Sequence, residues 1–133
     1  MDEEQRITIC KTGLNQILSI LRDRPEEWRN YITLARTIII HLNATSFMRT
    51  PDRVQEQVWA IAILQRLAYA DVDSGRVEDI ARWCTNGWLA VLQNHPDNIA
   101  ALQGVGQAWL ARAQPILASI HREEGGSSSS SSS

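Results

Sequence analysis

The residue types that most often bind metals or catalyse reactions are few and scattered in this chain. The histidines are His41, His95 and His121, and the cysteines are Cys10 and Cys84. No two of these five residues have the close spacing of common zinc sites. We therefore predict neither a metal site nor another cofactor, and we interpret both cysteines as small apolar side chains on helix stripes.

The carboxylates do not form a catalytic pattern either. The segment 71–75 has the composition of a calcium-loop start, but Arg82 stands where such a loop needs its bidentate Glu, so we predict a turn. Other carboxylates lie where helices begin and the helix dipole favours them, namely Glu26, Glu27, Asp52, Glu78, Asp79 and Asp97. Because serine-triad, phosphate-loop and HExxH motifs are also missing from the sequence, we predict that the protein is not an enzyme.

The apolar residues recur every three or four positions, and no run alternates with a period of two. This pattern predicts an all-α fold of five to six antiparallel helices. Five helices are expected at 3–22, 25–42, 50–69, 76–93 and 96–113, with a short sixth from Pro115 to near His121. The helical domain then spans 1–124, and the Gly/Ser-rich segment 125–133 is expected to be a flexible tail.

Charge and hydropathy narrow the classes of partner. The net charge is −2 and the pI is near 5.9, which argues against nucleic acid. No stretch approaches the length of a membrane span, and the polar, acidic N-terminus is unlike a secretory signal. We expect an intracellular protein, cytoplasmic or nuclear, with no membrane partner.

Two stretches resemble the tetratricopeptide repeat (TPR), in which pairs of helices recur about every 34 residues. The stronger match, at 84–109, consists of Cys84, Trp88, Val91-Leu92, Pro96, Leu102, Val105-Gly106 and Trp109. The weaker match, at 13–38, consists of Gly13, Ile17, Ile20-Leu21, Pro25, Tyr31, Leu34-Ala35 and Ile38. The resemblance implies that Trp88 and Trp109 fill the space between helix pairs.

The middle of the chain departs from the family's pattern. Pro25 and Pro96 are 71 residues apart, whereas two repeats span about 68 residues, and three long helices stand where four are expected. The resemblance therefore implies TPR-like hairpins, as a fragment or an end of a right-handed superhelix, or else an irregular helical bundle.

The resemblance also implies a binding surface, because similar proteins hold peptides along the first helices of their pairs. The matching positions are Arg29, Ile32, Arg36 and Ile39 on the second helix, and Gln103, Gln107 and Leu110 on the fifth. Trp83 lies off the main stripe of its helix and is a further candidate, as an exposed interface anchor.

Two functions follow as hypotheses. The first is a protein–protein interaction module, an adaptor or scaffold, that binds a partner peptide or helix through a helical groove or an apolar face. The second is a structural helical subunit that self-associates as a homo-oligomer or completes a larger complex.

Overall fold

The computed structural model describes residues 1–71, 73 and 75–131, with side chains described as far as Glu123. These residues form five α-helices and no β-strand, which confirms the predicted all-α fold. The helices are α1 (Glu3–Asp23), α2 (Ile32–Asn43), α3 (Val54–Ala68), α4 (Glu78–Asn94) and α5 (Ile99–Ser131). Short 3-10 segments precede α2 (Pro25–Tyr31) and α3 (Phe47–Arg49 and Pro51–Arg53).

Local hydrogen bonds define several helix starts. At α1 the side chain of Asp2 accepts from the backbone N–H of Gln5 at 2.7 Å, and the Gln5 side chain accepts from the Asp2 N–H at 3.1 Å. This reciprocal pair is a capping box, which satisfies donors that a helix leaves free at its first turn. At α5 the side chain of Asn98 accepts from the N–H of Ala101 at 2.9 Å.

The turn predicted at 71–75 falls in the connection between α3 and α4, where Asp71, Asp73 and Gly75 are described. A carboxylate oxygen of Asp71 accepts from the backbone N–H of Asp73 at 3.0 Å, as in an Asx turn. Gly75 has a φ of 80°, in the left-handed region that favours glycine. Val72 and Ser74 lie outside the described residues.

The predicted sixth helix is wrong as a separate element, because α5 continues through Pro115 from Ile99 to Ser131. An interior proline removes one backbone donor and its ring crowds the carbonyl four residues earlier, which destabilises the helix at this point, although its fixed φ is compatible with a helix. Every side chain from Gln114 to Glu123 is exposed, so no tight packing forces the chain to change direction at this point. The side chains of the predicted tail at 125–133 lie outside the described residues, and its flexibility stays a prediction.

The helices pack side by side, with α3 in the middle. Helix α1 lies against α2 and α3, α3 against α4, and α4 against α5. Most of the circumference of α3 is buried, through Gln57, Ala60, Ile61, Ile63, Leu64, Gln65, Leu67 and Ala68. A helix buried on most sides is a central element, and α3 therefore organises the core.

The same close contact occurs at two helix pairs. The Sγ of Cys10 donates to the carbonyl of Ile38 across 3.8 Å, and a Cβ on Gly13 would come within 2.9 Å of the Ile38 side chain. The equivalent residues at the α3–α4 contact are Cys84, Ile61 and Gly87. Burial raises the pKa of both thiols, so they remain protonated donors at neutral pH.

Candidate functional site

The eight predicted partner-binding residues fall into two groups in the structure. The first group lies on α2, on the 3-10 segment before it, and on α4, and contains Arg29, Ile32, Arg36, Ile39 and Trp83. The second group lies on α5 and contains Gln103, Gln107 and Leu110.

The two arginines of the first group contact carboxylates of this chain. Arg36 donates two hydrogen bonds to Asp79 in the first turn of α4, at 2.8 and 3.1 Å. Arg29 lies 4.7 Å from the centre of the Trp28 ring and reaches a carboxylate oxygen of Asp71 at 3.4 Å. The resemblance implied that both arginines contact a partner, and the structure places acidic groups from the α3–α4 side of the same chain beside them.

The apolar members of the first group also contribute to internal packing. Ile32 and Ile39 are half-buried against the core, and so is Trp83. The indole N–H of Trp83 donates to the side-chain oxygen of Asn43 at 2.9 Å, joining α4 to the end of α2. This side of α2 therefore faces α4 and the segment before it.

The ion pair between Arg36 and Asp79 gives a pH-dependent prediction. The hydrogen bonds from Arg36 hold the pKa of Asp79 below its usual value. Its contribution to stability is therefore fully present above the unfolded-state pKa of about 4, and is lost as the pH falls through the folded-state pKa. We expect Asp79→Asn to lower the free energy of unfolding at neutral pH and to have a smaller effect near about pH 2.

Urea denaturation at the two pH values measures this difference. Arg36→Met is the matched variant, because it removes the same ion pair and leaves the acidic side chain at the start of α4. An equal loss for Asp79→Asn at both pH values would show that the pair does not stabilise the fold through its charge.

Two members of the second group border a cleft of about 480 Å³ between α3 and α5, whereas Leu110 does not line it. Gln103 and Gln107 line its α5 side, and Val58, Ala62 and Tyr69 line the opposite side. Such a volume lies within the range of small-ligand and side-chain pockets. Burial raises the pKa of Tyr69, so its hydroxyl stays protonated at neutral pH. The cleft thus offers two exposed amides opposite a wall that combines apolar side chains with the charged Arg66.

A buried polar network forms the floor of the cleft. The indole N–H of Trp88 donates to the side-chain oxygen of Gln65 at 2.8 Å, and the Gln65 amide donates to the carbonyl of Gly104 at 3.0 Å. The network joins α3, α4 and α5 and fixes the distance between the walls of the cleft. Sequence reasoning missed Gln65, although a glutamine within the apolar circumference of helix three was the available signal.

Small residues bring α5 against the rest of the protein. Ala101 and Ala108 are buried, and a Cβ on Gly104 would lie 2.2 Å from the Trp88 ring. The large side chains of α5 consequently point away from the body. Trp88 is buried where α3, α4 and α5 meet, whereas 71% of Trp109 is exposed, so Trp109 does not fill the predicted space between helix pairs.

The outward side of α5 carries an unusual amount of apolar surface. Seven large apolar residues each expose between 46% and 71% of their area, namely Ile99, Leu102, Trp109, Leu110, Ile116, Leu117 and Ile120. Five of these seven residues lie in one row along the helix, together with two small residues. Successive members of the row are three and four residues apart in alternation. We call this row the α5 seam, and its members are Ile99, Leu102, Gly106, Trp109, Ala113, Ile116 and Ile120.

Comparisons with protein-family models, with curated proteins and with solved structures found no significant match to this chain. Among the described residues, no helix is both long enough and apolar enough to cross a membrane. Within the same part of the chain, no three His, Cys, Asp or Glu side chains come together as a metal site would require.

Proposed function

We propose that this protein is a protein–protein interaction module, an adaptor or scaffold, that binds an apolar helix or peptide through α5. The exposed α5 seam is the observation that carries the proposal. Single exposed apolar residues are normal on protein surfaces, whereas a contiguous apolar patch is typical of an interaction site. The resemblance to the TPR family supports the same function and itself stays a prediction.

The surroundings of the seam indicate the chemistry of the partner. From Asn98 to Ala111 helix α5 contains no charged residue, so a charged partner surface would find no counter-charge on this stretch. The amides of Gln103 and Gln107 beside the cleft can exchange hydrogen bonds with polar groups at the edge of a bound segment. We therefore expect an amphipathic segment whose apolar side covers the seam.

A synthetic helical peptide tests this proposal. The peptide has three heptads with leucine at its a and d positions and Glu and Lys elsewhere, and the control peptide has serine at the same a and d positions. We expect fluorescence anisotropy to show binding of the leucine peptide alone. Ile116→Glu is expected to weaken that binding by about tenfold or more, because it places a charge in the seam.

Ile40→Glu is the matched control variant, since Ile40 is 67% exposed on α2 and lies off the seam. We expect it to bind the leucine peptide as the unmodified protein does. Equal binding of both peptides, or equal weakening by Ile40→Glu and Ile116→Glu, would contradict α5 as the binding surface.

A structural helical subunit that self-associates is the second candidate function. The regular spacing of the seam favours it, because a seven-residue repeat of apolar positions is the pattern with which helices pair with one another.

A further inference from the structure

The α5 seam has the spacing of a coiled-coil helix. Written as a heptad, its a positions are Ile99, Gly106, Ala113 and Ile120, and its d positions are Leu102, Trp109 and Ile116. At 1.5 Å per residue the row is about 32 Å long. Pro115 occupies a c position, away from the seam, so its missing N–H and its ring do not disturb a partner helix.

The sizes of the seam residues make the row complementary to itself. The a positions near the middle are small, Gly106 and Ala113, whereas the d positions near the middle are large, Trp109 and Ile116. Between antiparallel helices each a residue shares a layer with a d residue of the partner helix. In the middle layers of the row large residues then meet small ones, as close packing favours.

We propose that the α5 seam binds the α5 seam of a second copy of this chain in antiparallel orientation. This proposal rests on the proposed function, because it names the partner of the same surface. In the best-matched alignment Gly106 faces Trp109 of the second copy, and Leu102 faces Ala113 of the second copy. A parallel pair would instead place Gly106 against Gly106 and Trp109 against Trp109, which leaves one layer empty and overfills another.

The charges of α5 agree with this alignment. Arg112 is the one charged residue between Asn98 and Gln114, and the antiparallel alignment places it opposite Val105 of the second copy. No like charges therefore meet across the pair in this stretch. The other helices of each copy pack on the side of α5 that carries Ala101 and Ala108. In the antiparallel pair these two sets of helices therefore lie on opposite sides of the paired α5 helices.

The exposed area fits a weak, reversible interface between two copies. Full burial of a large apolar side chain removes roughly 60–120 Å² from water. Because the large seam residues and the flanking leucines are only 46–71% exposed at the outset, they bury at most about 1,000 Å² over two copies. This value is near the lower limit for a specific protein interface. We expect a reversible dimer with a dissociation constant of about micromolar order.

Light scattering and sedimentation of the full chain from about 1 to about 200 µM test the association. We expect the mass to rise from 15.0 kDa towards twice that value, and we expect Ile116→Glu to raise the dissociation constant by about tenfold or more. Ile40→Glu serves as the control and leaves the mass curve unchanged. A dimer that Ile116→Glu does not weaken would overturn the proposal.

Two single-cysteine variants test the orientation. Leu102→Cys and Ala113→Cys are expected to form a disulfide-linked pair when they are mixed under oxidising conditions, and neither should do so alone. The native cysteines interfere little, because Cys10 and Cys84 are both buried. Cross-linking of Leu102→Cys with itself would show a parallel pair and overturn the antiparallel arrangement.

The outcomes also separate this proposal from the function on which it rests. A mass of 15.0 kDa at every concentration, together with binding of the leucine peptide, would overturn the second copy as the partner and leave the interaction module standing. A constant mass without peptide binding would overturn both.

Discussion

Replacing Trp88 with alanine is expected to lower the free energy of unfolding by about 3–5 kcal/mol. Only 2% of this side chain is exposed, and it lies where α3, α4 and α5 meet. Alanine removes the dispersion contacts of the indole and leaves a cavity that three packed helices cannot close without moving. It also leaves the buried side-chain oxygen of Gln65 without its indole donor.

Urea denaturation followed by far-ultraviolet circular dichroism measures this loss. The chain contains its own matched control, because Trp109 is the same residue type with 71% of its area exposed. At a concentration that keeps the protein monomeric, Trp109→Ala is expected to change the free energy of unfolding by less than about 0.5 kcal/mol. Similar losses for the two variants would mean that Trp88 is not a core residue.

Replacing Gly104 with alanine is expected to lower the free energy of unfolding by about 1–3 kcal/mol, although alanine is the better helix former. The new Cβ would lie between 2.2 and 2.6 Å from three atoms of the Trp88 ring, far inside contact distance. The ring cannot move away freely, since its N–H is held by Gln65 at 2.8 Å. Helix α5 must therefore shift away from α4, or the indole must leave its hydrogen bond.

Gly106 provides the control for this second variant. It lies on the same helix, two residues away, and a Cβ there would meet nothing within 4 Å. Gly106→Ala is therefore expected to raise the free energy of unfolding by up to about 1 kcal/mol in the monomer, through helix propensity alone. A loss for both glycine variants would mean that the cause is not the contact with Trp88.

A double-mutant cycle tests the contact directly. In the background of Trp88→Ala the space beside residue 104 is empty, so Gly104→Ala should lose most of its destabilising effect. We expect a coupling energy of about 1 kcal/mol or more between the two positions, because they touch. Strictly additive effects would contradict the close approach that positions α5.

The two tryptophans show where sequence reasoning stops. Trp88 and Trp109 both lie on apolar stripes at TPR-like spacing, and the sequence alone offers no reason to treat them differently. The structure buries the first and exposes the second. Gly104 determines which side of α5 packs, since its lack of a side chain lets the small-residue side of α5 approach α4. The side of a helix that packs depends on the shape of the neighbouring helix. The spacing of apolar residues along one helix does not contain that information.

The candidate binding residues show the same limit. Arg36 and Arg29 were predicted to bind a partner, and in the structure they contact acidic groups 43 and 42 residues away in this chain. The side of α5 with Gln103 and Gln107 does line a cleft, but its floor depends on Gln65, whose partners come from two other helices. Contacts between residues so distant in sequence are set by the packing of whole helices.

The sequence by itself determined the all-α class and the approximate positions of five helices, because these depend on periodicity, capping residues and prolines within a few positions of one another. Only the tertiary structure decided that α5 continues past Pro115, that Trp109 stands exposed, and that an apolar seam faces outward. Those features follow from which helix sides fit together, and fit is a property of the assembled surfaces rather than of any local segment.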